Sequence, residues 1–194
     1  FNANIIKTAE RLIVRRRPEL EAVSIVPVGR KGFDYFRRRP QYGEIARSWT
    51  GLSTVSVDHA QEIAGFLCER FEKGETDEVV LVYSEFISAL TQRPTEHPLL
   101  PVSPPEAAET IRYETEPQPE RLLGLLVPRA IEFAVFRALL ENQAGEHGAR
   151  MTAMDSATTN TEDLIRTLTL DYNKARQATI TAELVEIVSG AEAL

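Results

Sequence analysis

Apolar and polar positions follow two different rhythms along this chain. Over residues 2–17, Ile5, Ile6, Ala9, Leu12 and Ile13 recur at helical spacing. Asn2 or Asn4 stands ready to cap that helix, and Pro18 ends it. Residues 21–28 (Glu-Ala-Val-Ser-Ile-Val-Pro-Val) read as a buried strand and 44–49 as a second strand. Between them, residues 30–39 form a short basic helix around Phe33, Tyr35 and Phe36, closed by Pro40. Asp58 introduces a helix over about 59–73 with Ile63, Phe66, Leu67 and Phe71 inward, and Gly74 stops it. Residues 78–84 (Glu-Val-Val-Leu-Val-Tyr-Ser) hold an uninterrupted β-branched run and predict a central strand. Five prolines between 94 and 105 then mark an irregular connection with one edge strand near 98–102.

From about 120 to 189 the pattern is helical throughout. Pro119 suits a first-turn position and Pro128 interrupts or kinks the first turns. Beyond Pro128 only Gly145 and Gly148 break helix preference before Gly190. A straight helix over that span measures about 90 Å at 1.5 Å per residue, more than a domain of this size can cover. Ile165, Leu168, Tyr172, Ala175, Thr179 and Ala182 alternate at spacings of three and four, which is a heptad seam. Half of its members are small, and small contact residues let a second helix approach closely. The expected architecture is therefore α/β: a small Rossmann-like α/β sandwich with a mostly parallel sheet over 1–118, followed by one very long C-terminal helix over 119–194. That helix is half of a coiled coil whose mate lies on another chain or on a segment outside these residues.

Composition changes this picture little. The chain has 194 residues, 43% hydrophobic and 26% charged, enough for one domain with a core and an appendage. Cys68 is the one cysteine, so no internal disulfide forms, and no stretch approaches 18 uninterrupted apolar residues. The opening Phe1-Asn2-Ala3-Asn4 has neither an initiator Met nor a signal-peptide pattern, and we expect a processed or truncated piece of something longer. Charge adds more. Residues 1–47 hold 11 of the 22 basic residues against five acids, a balance of +6, whereas the remainder carries 11 basic and 24 acidic residues, a balance of −13. One end is basic, which suits nucleic acid, anionic head groups or an acidic protein.

Motifs for catalysis are missing. No Gly-x-Gly-x-x-Gly occurs, Gly29-Arg-Lys-Gly32 is too short for a phosphate loop, and His59, His97 and His147 have no neighbours in ligand register.

Several stretches nevertheless form a recognisable set. They are Ala153-Met-Asp-Ser-Ala-Thr-Thr-Asn160, Leu170-Asp-Tyr-Asn-Lys-Ala-Arg-Gln-Ala178 and Ile180-Thr-Ala-Glu-Leu-Val-Glu-Ile-Val-Ser-Gly190. With them, in order, stand Phe1-Asn-Ala-Asn4, Ser84-Glu-Phe-Ile-Ser-Ala-Leu-Thr-Gln92, and Glu141-Asn142, Glu146-His147 and Ala149-Arg150-Met151. Together they closely resemble the gamma subunit of F-type ATP synthase over essentially the whole chain. The family's long N-terminal helix and a first strand precede the Phe1 position and are absent here. That helix would be the mate the seam requires, making an antiparallel coiled coil, and the sheet would miss one strand.

The resemblance implies a non-catalytic rotor, the central stalk of F1, which couples proton flow through the membrane ring to ATP synthesis or hydrolysis in the αβ hexamer. It implies no cofactor, no metal, no nucleic acid and no direct nucleotide site. Implied partners are the alpha, beta and epsilon subunits (epsilon is called delta in mitochondria) and the c-ring. The implied location is peripheral, on the cytoplasmic face of the bacterial plasma membrane. By motif position, Met154, Arg176, Gln177, Thr181 and Glu183 would contact the αβ hexamer, with Arg150 near the acidic lever of beta. Ile187, Val188, Ala191, Ala193 and Leu194 would form a bearing tip. Tyr113, Glu116, Arg37, Arg38 and Arg39 would lie at the foot, toward epsilon and the ring.

Two other readings compete. Arg15-Arg-Arg17 and Arg37-Arg-Arg39 could neutralise phosphates in a basic-patch nucleic-acid-binding α/β module, though no aromatic platform accompanies them. An α/β enzyme would need a pocket with converging polar groups, which no motif announces.

Overall fold

The computed structural model describes residues 1–52, 54–102, 116 and 118–192. In chain order they form α1 (Asn2–Arg16), β1 (Ser24–Ile25), α2 (Arg30–Arg37), β2 (Glu44–Ile45), α3 (Val57–Glu72), β3 (Val79–Phe86), β4 (Gln92–Leu100) and α4 (Pro119–Glu192). The chain divides into two units, Phe1–Ala149 and Arg150–Leu194, and α4 contributes to both. This is an α/β domain together with one very long helix, as the residue pattern predicts.

Strand pairing departs from the expected parallel sheet. β1 and β2 do pair in parallel, Ser24 with Glu44 and Ile25 with Ile45, and a parallel bridge joins Val28 to Trp49. The larger ladder is antiparallel: β3 pairs β4 from Val79 opposite Leu100 to Phe86 opposite Gln92. The reason is the connection. Only Ile87–Thr91 separate the two strands, and the Thr91 N–H closes the turn on the Ser88 carbonyl at 3.1 Å. So short a link permits an antiparallel return and no crossover. β4 also begins well before the edge strand expected near 98–102, because Pro94 and Pro98 are accommodated within it.

The main core is built on α3. α3 turns Ala60, Ile63, Ala64 and Leu67 inward, a helical i, i+3, i+4, i+7 stripe. They meet Trp49, Leu99 and Leu100 and, from α4, Ile131 and Val135. Ser56, not Asp58, caps α3: its Oγ accepts from the His59 N–H at 3.4 Å, while His59 Nδ1 accepts from the Ser56 N–H at 3.3 Å. Gly74, at φ +68°, lies just past the helix in the left-handed conformation that favours glycine. α1 starts without either expected asparagine cap; Phe1 is its N-cap and no side chain bonds there. Ion pairs tie down its last turn, from Arg15 to Glu96 and from Arg16 to Glu78, each 2.6 Å.

Pro128 does not interrupt α4, which runs through it as a 74-residue helix. Proline has no N–H to offer the Gly124 carbonyl, yet Val127, Ile131 and Val135 pack on the core around this point and keep the helix in place.

Candidate interaction surfaces

Residues 153–191 of α4 are exposed throughout. Every predicted seam residue is therefore uncovered: Ile165 is 59% exposed, Leu168 57% and Tyr172 66%, with Ala175, Thr179 and Ala182 following at the same spacing. Thr179 belongs in such a seam, because its hydroxyl donates to the Ala175 carbonyl at 3.0 Å and so is satisfied within the helix. The alternation runs back through Thr161, Thr158 and Met154, so Met154 stands on the seam's own face.

The residues proposed to touch other chains fall on different sides. Arg176 and Glu183, seven apart, share one flank of the seam; Gln177 and Thr181, four apart, lie farther round. All four are exposed. The Thr181 hydroxyl donates to the Gln177 carbonyl at 2.8 Å, which leaves its oxygen free to accept. Near the end of the helix a second apolar stripe appears, Ile180, Leu184, Ile187 and Ala191 at spacings of four, three and four, with Val188 beside it. It lies away from the seam, so this end of the helix has two apolar faces. Leu194 and Ala193 of the expected tip lie outside the described residues.

In the domain, Arg37 and Arg38 are exposed at the end of α2, and Arg39 is half-buried. Arg39 lies over the Tyr35 ring at 3.9 Å and donates to the Tyr35 carbonyl at 3.3 Å; Arg37 lies 5.8 Å from the Phe33 ring. Glu116 is exposed, whereas Tyr113 lies outside the described residues. Glu10 accepts from the hydroxyls of Tyr35 (3.2 Å) and Tyr42, and its carboxylate holds the Tyr42 phenol above its ordinary pKa. The triplet Arg15–Arg17 is different. Arg15 and Arg16 already meet Glu96 and Glu78, so two of its three cations are partnered within the domain. The nucleic-acid reading finds no support here.

Sequence reasoning missed one contact altogether. Gly145 and Gly148 of α4 are buried where the helix passes Phe1 and the β3–β4 turn. Among the described residues, no group of three His, Cys, Asp or Glu side chains is placed to hold a metal, and no helix is long and apolar enough to cross a membrane.

Comparison with known proteins agrees over the full length. The profile of the family described as ATP synthase matches residues 1–194. The chain is 48% identical over 198 residues to the ATP synthase gamma chain of Anaeromyxobacter sp. (strain Fw109-5), covering 100% of this chain and 68% of that relative. It is equally 48% identical, over 196 residues and with the same coverage, to the ATP synthase gamma chain of Moorella thermoacetica. Among solved structures, the fold is similar to the central stalk and c-ring structure of Tetrahymena thermophila mitochondrial ATP synthase. That match has a TM-score of 0.61 at 25% identity and covers 81% of this chain and 69% of that one.

Proposed function

The chain belongs to the ATP synthase gamma-chain family, and from that premise we propose how its surfaces carry out the work of a central stalk. As a gamma subunit it is part of the rotor that couples proton flow through the membrane ring to ATP synthesis and hydrolysis in the αβ hexamer. In our reading it is not itself a catalyst. Residues 119–194 form the shaft, which packs through residues 127–139 on the core of a foot made by residues 1–118.

The observation that carries this reading is the uncovered seam: a heptad stripe on a helix that contributes nothing further to its own domain's core is built for a second helix. Around that pair, an asymmetric shaft meets each of three αβ pairs differently. Contacts of Arg176, Gln177, Thr181 and Glu183 bias each catalytic site by their difference in affinity for its conformations. Linkage makes the bias reciprocal, so nucleotide occupancy also sets shaft angle. Met154, on the seam's own face, meets the hexamer from beside the second helix. The apolar stripe ending in Ile187, Val188, Ala191 and Leu194 suits a bearing, where directional hydrogen bonds would resist turning.

At the foot, Arg37, Arg38 and Arg39, with Tyr113 and Glu116, meet the epsilon subunit and polar loops of the c-ring. Exposed charge pairs contribute only about 0–1 kcal/mol each, so they orient the foot more than they hold it. The location we propose is peripheral, on the cytoplasmic face of a bacterial plasma membrane. The bacterial sources of the similar gamma chains support it.

Deleting residues 165–194 tests the reading. We expect weaker assembly with the αβ hexamer and a loss of coupled synthesis; a truncated chain that couples normally in the complete complex would overturn it.

A further inference from the structure

The face that α4 turns toward its domain shrinks along the helix. Ile131 and Val135 give way to Ala138, then to Gly145 and Gly148. In the same stretch Glu141 reaches sideways: one carboxylate oxygen accepts from the Phe86 N–H at 3.3 Å, the other from Arg137 Nε at 2.6 Å. A Cβ at Gly145 would stand 2.8 Å from the Phe1 ring and 3.3 Å from Gln92 Cγ. One at Gly148 would stand 3.0 Å from the Ala89 carbonyl oxygen and 3.1 Å from its Cα. Gln92 clamps the turn from within, its Nε2 donating to the carbonyls of Ser88 (3.1 Å) and Ala89 (2.8 Å).

Residues 141, 145 and 148 lie at i, i+4 and i+7, so one face of the helix makes three successive contacts with the same hairpin and Phe1. Two of them involve main chain of the hairpin directly. Such contacts differ from the side-chain packing of Ile131 and Val135. Side chains can relax through rotamers, but where Gly148 sets helix backbone against the Ala89 backbone no side chain lies between them to yield, and any movement must distort the helix or the turn itself.

We infer that this contact is the stiff joint through which torque passes between the β3–β4 hairpin of the foot and the shaft helix. Glu141 acts as a positioning residue, and Gly145 and Gly148 are the points of close approach. The inference rests on the rotor reading and names where, in this chain, foot and shaft are fastened. A loosened joint lets the ring turn the foot while the shaft lags, so hydrolysis and proton transport part company.

The test uses the assembled ATP synthase containing this chain, reconstituted into liposomes, with ATP hydrolysis and ATP-driven proton pumping measured side by side. Glu141→Ala and Gly148→Ala should lower protons pumped per ATP several-fold while leaving hydrolysis largely intact. Glu141→Gln, which keeps an oxygen for the Phe86 N–H, should stay near the unmodified ratio. Gly145→Ala should uncouple as well, and Phe1→Leu in the same chain should restore coupling by making room for the methyl group. The joint is overturned if the ratio is unchanged in these variants. It is equally overturned if pumping and hydrolysis fall together with the amount of assembled complex and Phe1→Leu gives no relief. Failure of the rotor reading looks different: the unmodified chain itself would then not enter the complex, or the complex would pump equally well without it.

Discussion

Cys68 lies half-buried on α3, and burial, followed by the charges of Glu72 and Glu132, pushes its thiol above the ordinary range. Less thiolate is then present at any given pH, and the thiolate is the nucleophile. Iodoacetamide at neutral pH should therefore modify Cys68 more slowly than the same cysteine in the urea-unfolded chain; a faster folded-state reaction would contradict the burial. Ser56 shows a different kind of local effect. Its hydroxyl satisfies an otherwise orphaned N–H of the first turn, and His59 reciprocates. Ser56→Ala should cost about 1 kcal/mol, read as a shift in urea midpoint without a change in slope. Asp58 looked like the cap because acids favour first turns. The choice between it and Ser56 depends on whose oxygen meets a free N–H, and that the residue pattern does not specify. Gly145 and Gly148 were equally opaque: as letters they read as weak points in a helix, and only the nearness of Phe1 and Ala89 explains them.

The elements that were legible are those whose pattern is local. α3 declared Ile63 and Leu67 as core, and both are buried; Phe66 and Phe71 from the same expected face pack against that core and are only partly covered. Ile63→Ala should remove about 2–5 kcal/mol, measured by denaturant unfolding, since the transfer loss is joined by a cavity between α3 and its neighbours. β4 was hidden by its prolines. A strand paired with β3 tolerates Pro94 and Pro98, so composition argued for an irregular connection where a nine-residue strand exists. That one misreading also reversed the expected strand direction, because a five-residue turn between β3 and β4 cannot give a parallel pair. The basic triplets illustrate the same limit for charge. Arg15, Arg16 and Arg17 look like Arg37, Arg38 and Arg39 in sequence, yet two of the first three are taken up by Glu96 and Glu78.

For the molecule as a whole, the function we propose rests on apolar surface that its own core leaves uncovered. Leu168 and Leu170 make this testable, since they are 57% and 56% exposed and so equal by area. They differ in direction. Leu168 lies on the seam between Ile165 and Tyr172, whereas Leu170, two residues on, points to roughly the opposite side at about 100° per residue. Area alone predicts the same penalty for a charge at either site. If the seam receives a second helix, Leu168→Asp places a carboxylate in a contact that excludes water, and Leu170→Asp does not. Leu168→Asp should therefore reduce incorporation of the chain into the ATP synthase complex, and with it coupled synthesis, markedly more than Leu170→Asp. Both should leave thermal unfolding of the unit Phe1–Ala149 unchanged, because neither side chain belongs to its core. Equal losses from the two substitutions would mean that the heptad spacing carries no directional contact, and the shaft would then act by exposed area rather than by a paired helix.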